Sequence, residues 1–337
     1  MEKLVSSWFS HKIVPENYVF PANKRPGEHL VAACKAIPTI DLNDVDKNDV
    51  IHQIMNACRD FGFFQVINHG VEGKLMDEAV EVFKEFFSLP TEDKSSLLTE
   101  DKEHSCRLYT SSYNYGTEEV HYWRDALRHS CASEECIHSW PVKPNRYKEV
   151  VGALSTEVRK LGSRILEMIC QGLGLEKGFF FKDGLSEDMF LTVNHYPPCP
   201  DPSLTLGLAK HCDPNLITIL MQGDVPGLQV FKDGEWISVQ PLKHAFIINV
   251  GYLLHIVSNG KLRSAEHRAV TNTSTPRTSA GFFILASKES VVEPAKALVD
   301  ADNPPLYRQF RYHEFFKIYS SHTTGDTDAA LEPFRIK

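Results

Sequence analysis

The chain has 337 residues, of which 42% are hydrophobic and 24% charged, with a formal net charge of −8. That is enough apolar chain for a large buried core, in one elaborated domain or two closely joined units. The acidic balance and the lack of a basic block argue against nucleic acid as a partner, and no apolar run approaches the ~20 residues of a membrane helix.

The first twelve residues, MEKLVSSWFSHK, hold no long apolar run, so no secretory signal is read there. The C-terminal EPFRIK carries no lipidation or retention signal. The default expectation is the cytosol, with the nucleus left open. Ile51, Ile54, Met55 and Cys58 fall at helical spacing and predict a helix over 50–61. From Lys74 to Leu89 a broad stripe of Leu75, Met76, Ala79, Val80, Phe83, Phe86 and Phe87 predicts a second, stopped by Pro90. A third covers Tyr147 to Gly172, with Val151, Leu154, Val158, Leu161, Ile165 and Ile169 on one face.

Near Met189 the pattern changes to short apolar runs between turn signals. GLQVF, WISV, AFIINV and GFFIL read as strands, Asp233-Gly234 as a hairpin, and Asn259-Gly260 as another turn. Many short strands without regular helices between them argue for a sandwich or barrel. A short helix is expected around Tyr312 to Tyr319, followed by a flexible polar stretch, SSHTTGDTDAA. The expected organisation is a mixed, mostly helical region over 1–186, a β core over 187–290 and a helical tail over 291–337. The eight cysteines, Cys34, Cys58, Cys106, Cys131, Cys136, Cys170, Cys199 and Cys212, form no CxxC pair and read as free thiols.

The β core contains His211-Cys212-Asp213. On a strand, residues two apart share a face, so this imidazole and carboxylate can point at one ion. His267 follows after enough chain for several strands to return it to the same place. Two histidines and one carboxylate on one side of a metal make the facial ligand set of non-haem Fe(II) oxygenases, with three positions left for co-substrate and O₂. Alone the HxD pair is a weak signal among fifteen histidines. Its ordinary alternative is a surface turn or a hydrogen-bonded strand histidine. Arg277 and Ser279 share another strand face and offer a guanidinium fork and a hydroxyl to the far carboxylate of a metal-chelating 2-oxo diacid. Phe283, four residues on, lies on the same face and lines a pocket or simply packs in the core. Asn194 and Tyr196 form a third pair, just before Pro197-Pro198-Cys199-Pro200 ends its strand. A zinc hydrolase with the same ligands would leave the Arg277–Ser279 and Asn194–Tyr196 pairs without a role. A silent barrel is better supported by a lost ligand than by a complete set.

The pieces IPTIDL from Ile37, ACRDFGFFQVINHGV from Ala57, Trp123-Arg124-Asp125, NHYPPCPDP from Asn194, GLAKHCDPNLITILMQ from Gly207, VPGLQVFKDGEW from Val225, SNGKLRSAEHRAV from Ser258 and PRTSAGFF from Pro276 span most of the chain. In order and spacing they resemble the plant-type 2-oxoglutarate- and Fe(II)-dependent dioxygenases. Within that family the sequence looks most like the hyoscyamine 6-hydroxylase-like branch of specialised metabolism. The resemblance implies a mainly β core with flanking helices, a double-stranded β-helix (jelly-roll) barrel behind a helical N-terminal region. It implies His211, Asp213 and His267 as iron ligands and Arg277, Ser279, Asn194 and Tyr196 as the 2-oxoglutarate site. Phe283 matches an aromatic position near the substrate in flavonoid enzymes. The cofactors implied are Fe(II), 2-oxoglutarate and O₂, with ascorbate as activator.

The implied reaction splits 2-oxoglutarate to succinate and CO₂ and oxidises a substrate C–H bond. The usual outcome is hydroxylation, with desaturation, ring closure or dealkylation as variants. The expected partner is a small molecule such as an alkaloid or phenylpropanoid, with flavonoid, coumarin and hormone substrates left open. The enzyme is expected to be a monomer. Tyr109, Tyr113, Trp123, Phe283 and Phe316 are candidates for an aromatic substrate pocket, the alternative for each being that it joins helix to barrel. Glu118 and Glu119 suit an amine, although paired glutamates are more often solvated. Three departures stand out. His195 replaces a usual tyrosine and Cys212 a usual threonine, and both should face away from the site. Tyr252 stands where the family usually has aspartate, which is expected to alter contacts behind the ligands.

Overall fold

The computed structural model describes residues 4–9, 13–27, 37–99, 101, 104–321 and 329–336. Cys34 and most of the expected polar stretch, 322–328, lie outside these. In chain order the N-terminal half contains β1 (Thr39–Asp41), α1 (Lys47–Asp60), β2 (Phe63–Ile67), α2 (Gly73–Ser88) and the single turn α3 (Thr91–Lys94). Then come β3 (Cys106–Thr110), β4 (Asp125–Ser130) and α4 (Tyr147–Gly172). The second half holds β5 (Asp188–Tyr196), β6 (Leu208–His211), β7 (Ile217–Met221), β8 (Leu228–Lys232), β9 (Glu235–Ser238) and β10 (Phe246–Val250). It continues with α5 (Tyr252–Val257), β11 (His267–Ala269), β12 (Arg277–Leu285), β13 (Val291–Val292), β14 (Phe310–Arg311) and α6 (Tyr312–Ser321).

The three long helices form where their periodicity places them. The Asp46 carboxylate accepts from the Asn48 and Asp49 N–H groups at the start of α1, satisfying donors that the helix leaves open. α1 buries Val50, Ile51, Ile54, Met55 and Cys58; α2 buries Met76, Ala79, Val82, Phe83, Phe86 and Phe87. Each such side chain contributes roughly 1.5–3 kcal/mol when fully buried. Both helices pack on α4, and together they cover one face of an eight-stranded sheet ordered β1-β2-β10-β7-β12-β5-β4-β3.

The strands alternate strictly. Ile217, Ile219, Phe246, Ile248, Leu191, Val193, Ala280, Phe282 and Ile284 face the helices. The opposite face looks toward a second sheet, β6-β11-β8-β9, through a small cluster that joins Phe63 and Ile247 to Leu228 and Val230. Asn194, Tyr196, Arg277, Ser279 and Phe283 lie on this second face, and His211 and His267 lie on β6 and β11 of the smaller sheet. Asp233 and Gly234, at φ 53° and 85°, make the two-residue hairpin between β8 and β9.

Two expectations need correcting. The N-terminal region carries the expected long helices α1, α2 and α4, but it is more mixed than their stripes announce, because β1, β2, β3 and β4 supply half of the large sheet. Phe63–Ile67 is apolar but for Gln65 and buried along most of its length, and such a run carries little strand periodicity. β3 and β4 were hidden by the arginines, tyrosine and histidine they carry. The connection from β10 to β11 is not a plain loop either. It contains α5, and Asn259-Gly260 (φ 52° and 77°) closes that helix rather than a hairpin.

Candidate metal centre and co-substrate site

His211 and His267 are directly paired across β6 and β11, with ring centroids 4.1 Å apart. β6 ends at His211, so Asp213 sits on the following turn rather than on the strand. Its position is set by other means. The Thr218 hydroxyl and the Asn249 amide donate to its Oδ2 at 2.6 and 2.5 Å. The backbone N–H groups of Gly251, Tyr252 and Leu253 donate to the carbonyls of Leu216, Asp213 and Asn215. The other carboxylate oxygen, Oδ1, lies 3.5 Å from His211 Nε2 and 3.7 Å from His267 Nε2.

Each imidazole is held the same way. His211 Nδ1 bonds the Ala209 carbonyl at 2.8 Å, and His267 Nδ1 bonds that of Ala265 at 3.2 Å. Backbone carbonyls only accept, so each Nδ1 carries its proton and each Nε2 lone pair is left for a cation. The three ligand atoms lie within 4.8 Å of one another. Burial and the neighbouring His211 push His267 down to about 4. Burial pushes Asp213 up, but the neighbouring His267 and His211 rings and the Thr218 hydroxyl outweigh it and hold the carboxyl well below its usual range. A His267 kept neutral beside an ionised Asp213 carboxylate is what a divalent metal requires of them. The donor set therefore fits Fe(II).

The four residues expected at the co-substrate come together as two cross-strand pairs on the same face, Arg277 opposite Tyr196 and Ser279 opposite Asn194. Arg277 is buried, with its guanidinium 5.1 Å from the Tyr196 ring centre. Its Nε donates to the Val225 carbonyl at 3.1 Å, and one Nη reaches the Ser279 hydroxyl at 3.4 Å. Gly227 makes this possible: a Cβ there would lie 2.8 Å from Arg277 Cδ. Three further residues were not anticipated. Arg124 donates to Asn194 Oδ1 at 2.9 Å and to the Ser111 carbonyl at 2.8 Å, which turns the Asn194 amide NH₂ outward. Asn249 and Thr218, paired across β10 and β7, form the support behind Asp213. Polar residues interrupting the inner positions of ITILM and FIINV are the signal that marks them.

The substrate-pocket candidates separate. Phe283 lies between Thr218 and Phe190 on neighbouring strands and is only partly buried, so it lines the space beside the metal ligands. The rings of Tyr109 and Tyr113 lie 4.5 Å apart, tilted by 36°. Phe316 is 36% exposed on α6, 5.9 Å from Tyr312. Trp123 is fully buried with Val5, Val14, Tyr18 and Cys199, its indole N–H donating to Pro197, so its packing is structural. Glu118 is taken up by the Ser111 and Ser112 hydroxyls and His121, and Glu119 is an exposed partner of Lys24.

The departures are accommodated. His195 lies on the opposite face, stacked 4.7 Å from Phe87. Cys212 is buried, and burial pushes its thiol up to about 12, which keeps it from the oxidisable thiolate form. Tyr252 holds the ligand loop through its backbone, while its ring packs against Phe315 and Tyr319 of α6.

A helix-backed pair of sheets holding two histidines and a carboxylate beside a buried arginine fork defines a non-haem metal oxygenase. Comparison with known proteins gives the family. The model of the 2OG-Fe(II) oxygenase superfamily matches residues 187–286, and that of the N-terminal region of non-haem dioxygenases in morphine synthesis matches 37–147. The chain is 44% identical to protein DOWNY MILDEW RESISTANCE 6 of Arabidopsis thaliana, over 98% of both chains. It is 43% identical to hyoscyamine 6-dioxygenase of Hyoscyamus niger, over 100% of this chain and 99% of that one. The crystal structure of JOX2 in complex with 2OG, Fe and JA superposes with a TM-score of 0.90 at 32% identity, covering 100% of this chain and 98% of that one. The chain belongs to the 2-oxoglutarate- and Fe(II)-dependent oxygenases, enzymes that use Fe(II), 2-oxoglutarate and O₂ on the double-stranded β-helix fold.

Proposed function

We propose that His211, Asp213 and His267 hold Fe(II) and that Arg277, Ser279, Asn194 and Tyr196 hold the distal carboxylate of 2-oxoglutarate. The enzyme then oxidises a C–H bond of a small specialised metabolite, hydroxylation being the primary outcome. The observation that carries this is the convergence of the Arg277–Tyr196 and Ser279–Asn194 pairs on the face that also presents Thr218 and Asn249 behind Asp213. A hydrolase using the same ligands would leave that fork without an acceptor.

When bound, iron and its co-substrates supply oxidative decarboxylation to succinate and CO₂, coupled to C–H oxidation. The chain supplies orientation. The two Nδ1 contacts fix the imidazoles, Thr218 and Asn249 reserve one Asp213 oxygen, and Arg277 offers a planar fork in a water-poor setting. Phe283 and the Tyr109–Tyr113 pair wall the space for the substrate body. Among the described residues no helix is long and apolar enough to cross a membrane. We take the enzyme to be a cytosolic monomer activated by ascorbate, with its ligands in a core over 187–290. In support of the monomer, exposed large apolar residues such as Val45, Val142 and Leu242 come from distant parts of the chain.

The test is spectroscopic. Anaerobic protein with Fe(II) and 2-oxoglutarate develops a weak visible metal-to-ligand charge-transfer band, and Asp213→Ala abolishes turnover. Arg277→Ala weakens 2-oxoglutarate by about tenfold or more, the worth of a charged hydrogen bond. Folded, iron-loaded protein that never develops the band would overturn this function.

A further inference from the structure

We infer that Arg107 and Arg128 form a carboxylate-binding site for the substrate, so that the enzyme acts on small organic acids with an apolar or aromatic body. The inference rests on the iron and 2-oxoglutarate centre proposed above and names the substrate class for it.

Arg107 and Arg128 face each other directly across β3 and β4. The register carries Arg128 on to Thr192 of β5 and then to Gly281 of β12. This row lies between two others on the same face: Ala126–Asn194–Ser279 on the co-substrate side, and Ser130–Phe190–Phe283 on the side that reaches Thr218. Directly paired residues point to one side of a sheet. Both guanidinium groups therefore start from the face that holds the reaction centre.

Their charge is unanswered. Arg107 is 6% exposed; its Nε and one Nη donate to the Thr99 carbonyl at 3.3 and 3.1 Å, and the other Nη is buried without a partner. Arg128 lies 4.4 Å from the Phe190 ring centre and 5.2 Å from that of Tyr113, which is also 5.0 Å from Arg107. Among the described residues neither arginine has an ion-pair partner. The two fully buried acids among the described residues are committed elsewhere: Asp125 accepts from the Val5 and Ser6 N–H groups, and Asp213 belongs to the metal set. The half-buried Asp188, on the same face of β5, has Arg159 and Lys288 as its cationic neighbours. Aromatic faces offset only part of the cost of a desolvated cation. A second orphan donor adjoins the pair. The Tyr312 hydroxyl is buried without a partner, and Arg128 is its electrostatic neighbour.

A carboxylate answers all of this at once. It is planar, it matches the guanidinium fork, and it accepts from several donors. Tyr109, Tyr113 and Phe190 supply apolar walls for the body attached to it. An amine is matched less well among the described residues, because Glu118 is consumed by its own loop, Glu119 is exposed, and Asp188 already faces Arg159 and Lys288.

The experiment uses the full chain, anaerobic and loaded with Fe(II) and 2-oxoglutarate. Benzoate, trans-cinnamate and 3-phenylpropanoate are each compared with their primary amides, by perturbation of the charge-transfer band and by thermal stabilisation. At least one acid is expected to bind about tenfold or more tightly than its amide. Arg128→Gln and Arg107→Gln erase that preference, while 2-oxoglutarate affinity, read from the band, is retained. Arg128→Lys keeps a charge without the fork and retains part of the preference, which guards against a glutamine variant that does not fold. If no acid exceeds its amide, or if Arg128→Gln weakens 2-oxoglutarate instead, the inference is overturned. A wild type without the band overturns the iron centre alone, and the acid–amide difference in thermal stabilisation still decides this site.

Discussion

Arg124 has the most to do among residues that touch neither metal nor carboxylate. It spans from the Ser111 carbonyl to Asn194 Oδ1, so the Asn194 amide cannot turn its oxygen toward the co-substrate. Arg124→Met removes that bond and lets the amide turn. The expected result is a rise of about tenfold or more in KM for 2-oxoglutarate, the worth of one hydrogen bond to a charged group, with kcat much less affected. Steady-state succinate release measures both; an unchanged KM would show that Asn194 is oriented without Arg124. At this scale RxS and NxY were legible because they are strand pairs whose spacing has a geometric meaning, whereas HxD was read as one although Asp213 lies past the end of β6. Arg124 stood inside a matching motif, but its partner lies seventy residues away in sequence, and only the β4–β5 register joins them. Thr218 and Asn249 were missed for a related reason, since a lone polar residue in an apolar strand has many possible purposes.

Among the elements, the six-residue α5 matters more than its length suggests. Its start supplies the three backbone donors that hold Leu216, Asp213 and Asn215, and Gly251 lies against Asn215 so closely that an added Cβ would collide with backbone atoms. Backbone cannot rotate away as a side chain can. Gly251→Ala therefore displaces the loop bearing Asp213, and overpacking of this kind costs about 1–3 kcal/mol. The expected outcome is weaker Fe(II) binding and a lower Tm, read by metal titration and calorimetry; an unchanged iron affinity would mean that Thr218 and Asn249 suffice. The helices were legible because their apolar stripes repeat at 3.6 residues. β2 was not, because it is apolar on both faces but for Gln65, and β3 and β4 were not, because Arg107, Tyr109, Arg128 and His129 break their apolar pattern. The two arginines that hid β3 and β4 are the ones proposed to bind the substrate carboxylate.

Across the whole molecule, two buried histidines join the helical layer to the sheet and tie its stability to pH. His129 bonds the Tyr147 hydroxyl of α4 at 2.9 Å and lies against Trp140. His195 stacks on Phe87 of α2. Burial lowers His129 to about 3, and burial with the Lys94 charge lowers His195 to about 4, against 6.5 for the exposed side chain. Both folded values lie below the unfolded one, so protons favour the unfolded chain. Stability is complete above about pH 6.5, falls as the pH drops, and stops falling through these groups only below their folded values. Each histidine contributes a slope of about 1.4 kcal/mol per pH unit in that window. Urea midpoints measured from pH 7 to pH 5 should fall accordingly. His129→Gln and His195→Tyr, the second restoring the family's usual residue, should each remove one proton's worth of the slope. Carboxylates held below their usual range, such as Asp213, act only at lower pH, so the two effects separate on the pH axis. A wild-type midpoint that stays flat between pH 7 and 5 would mean that these histidines take up protons without unfolding. The helical layer would then part from the sheet locally, at α2 and α4, before the barrel that carries the metal ligands opens.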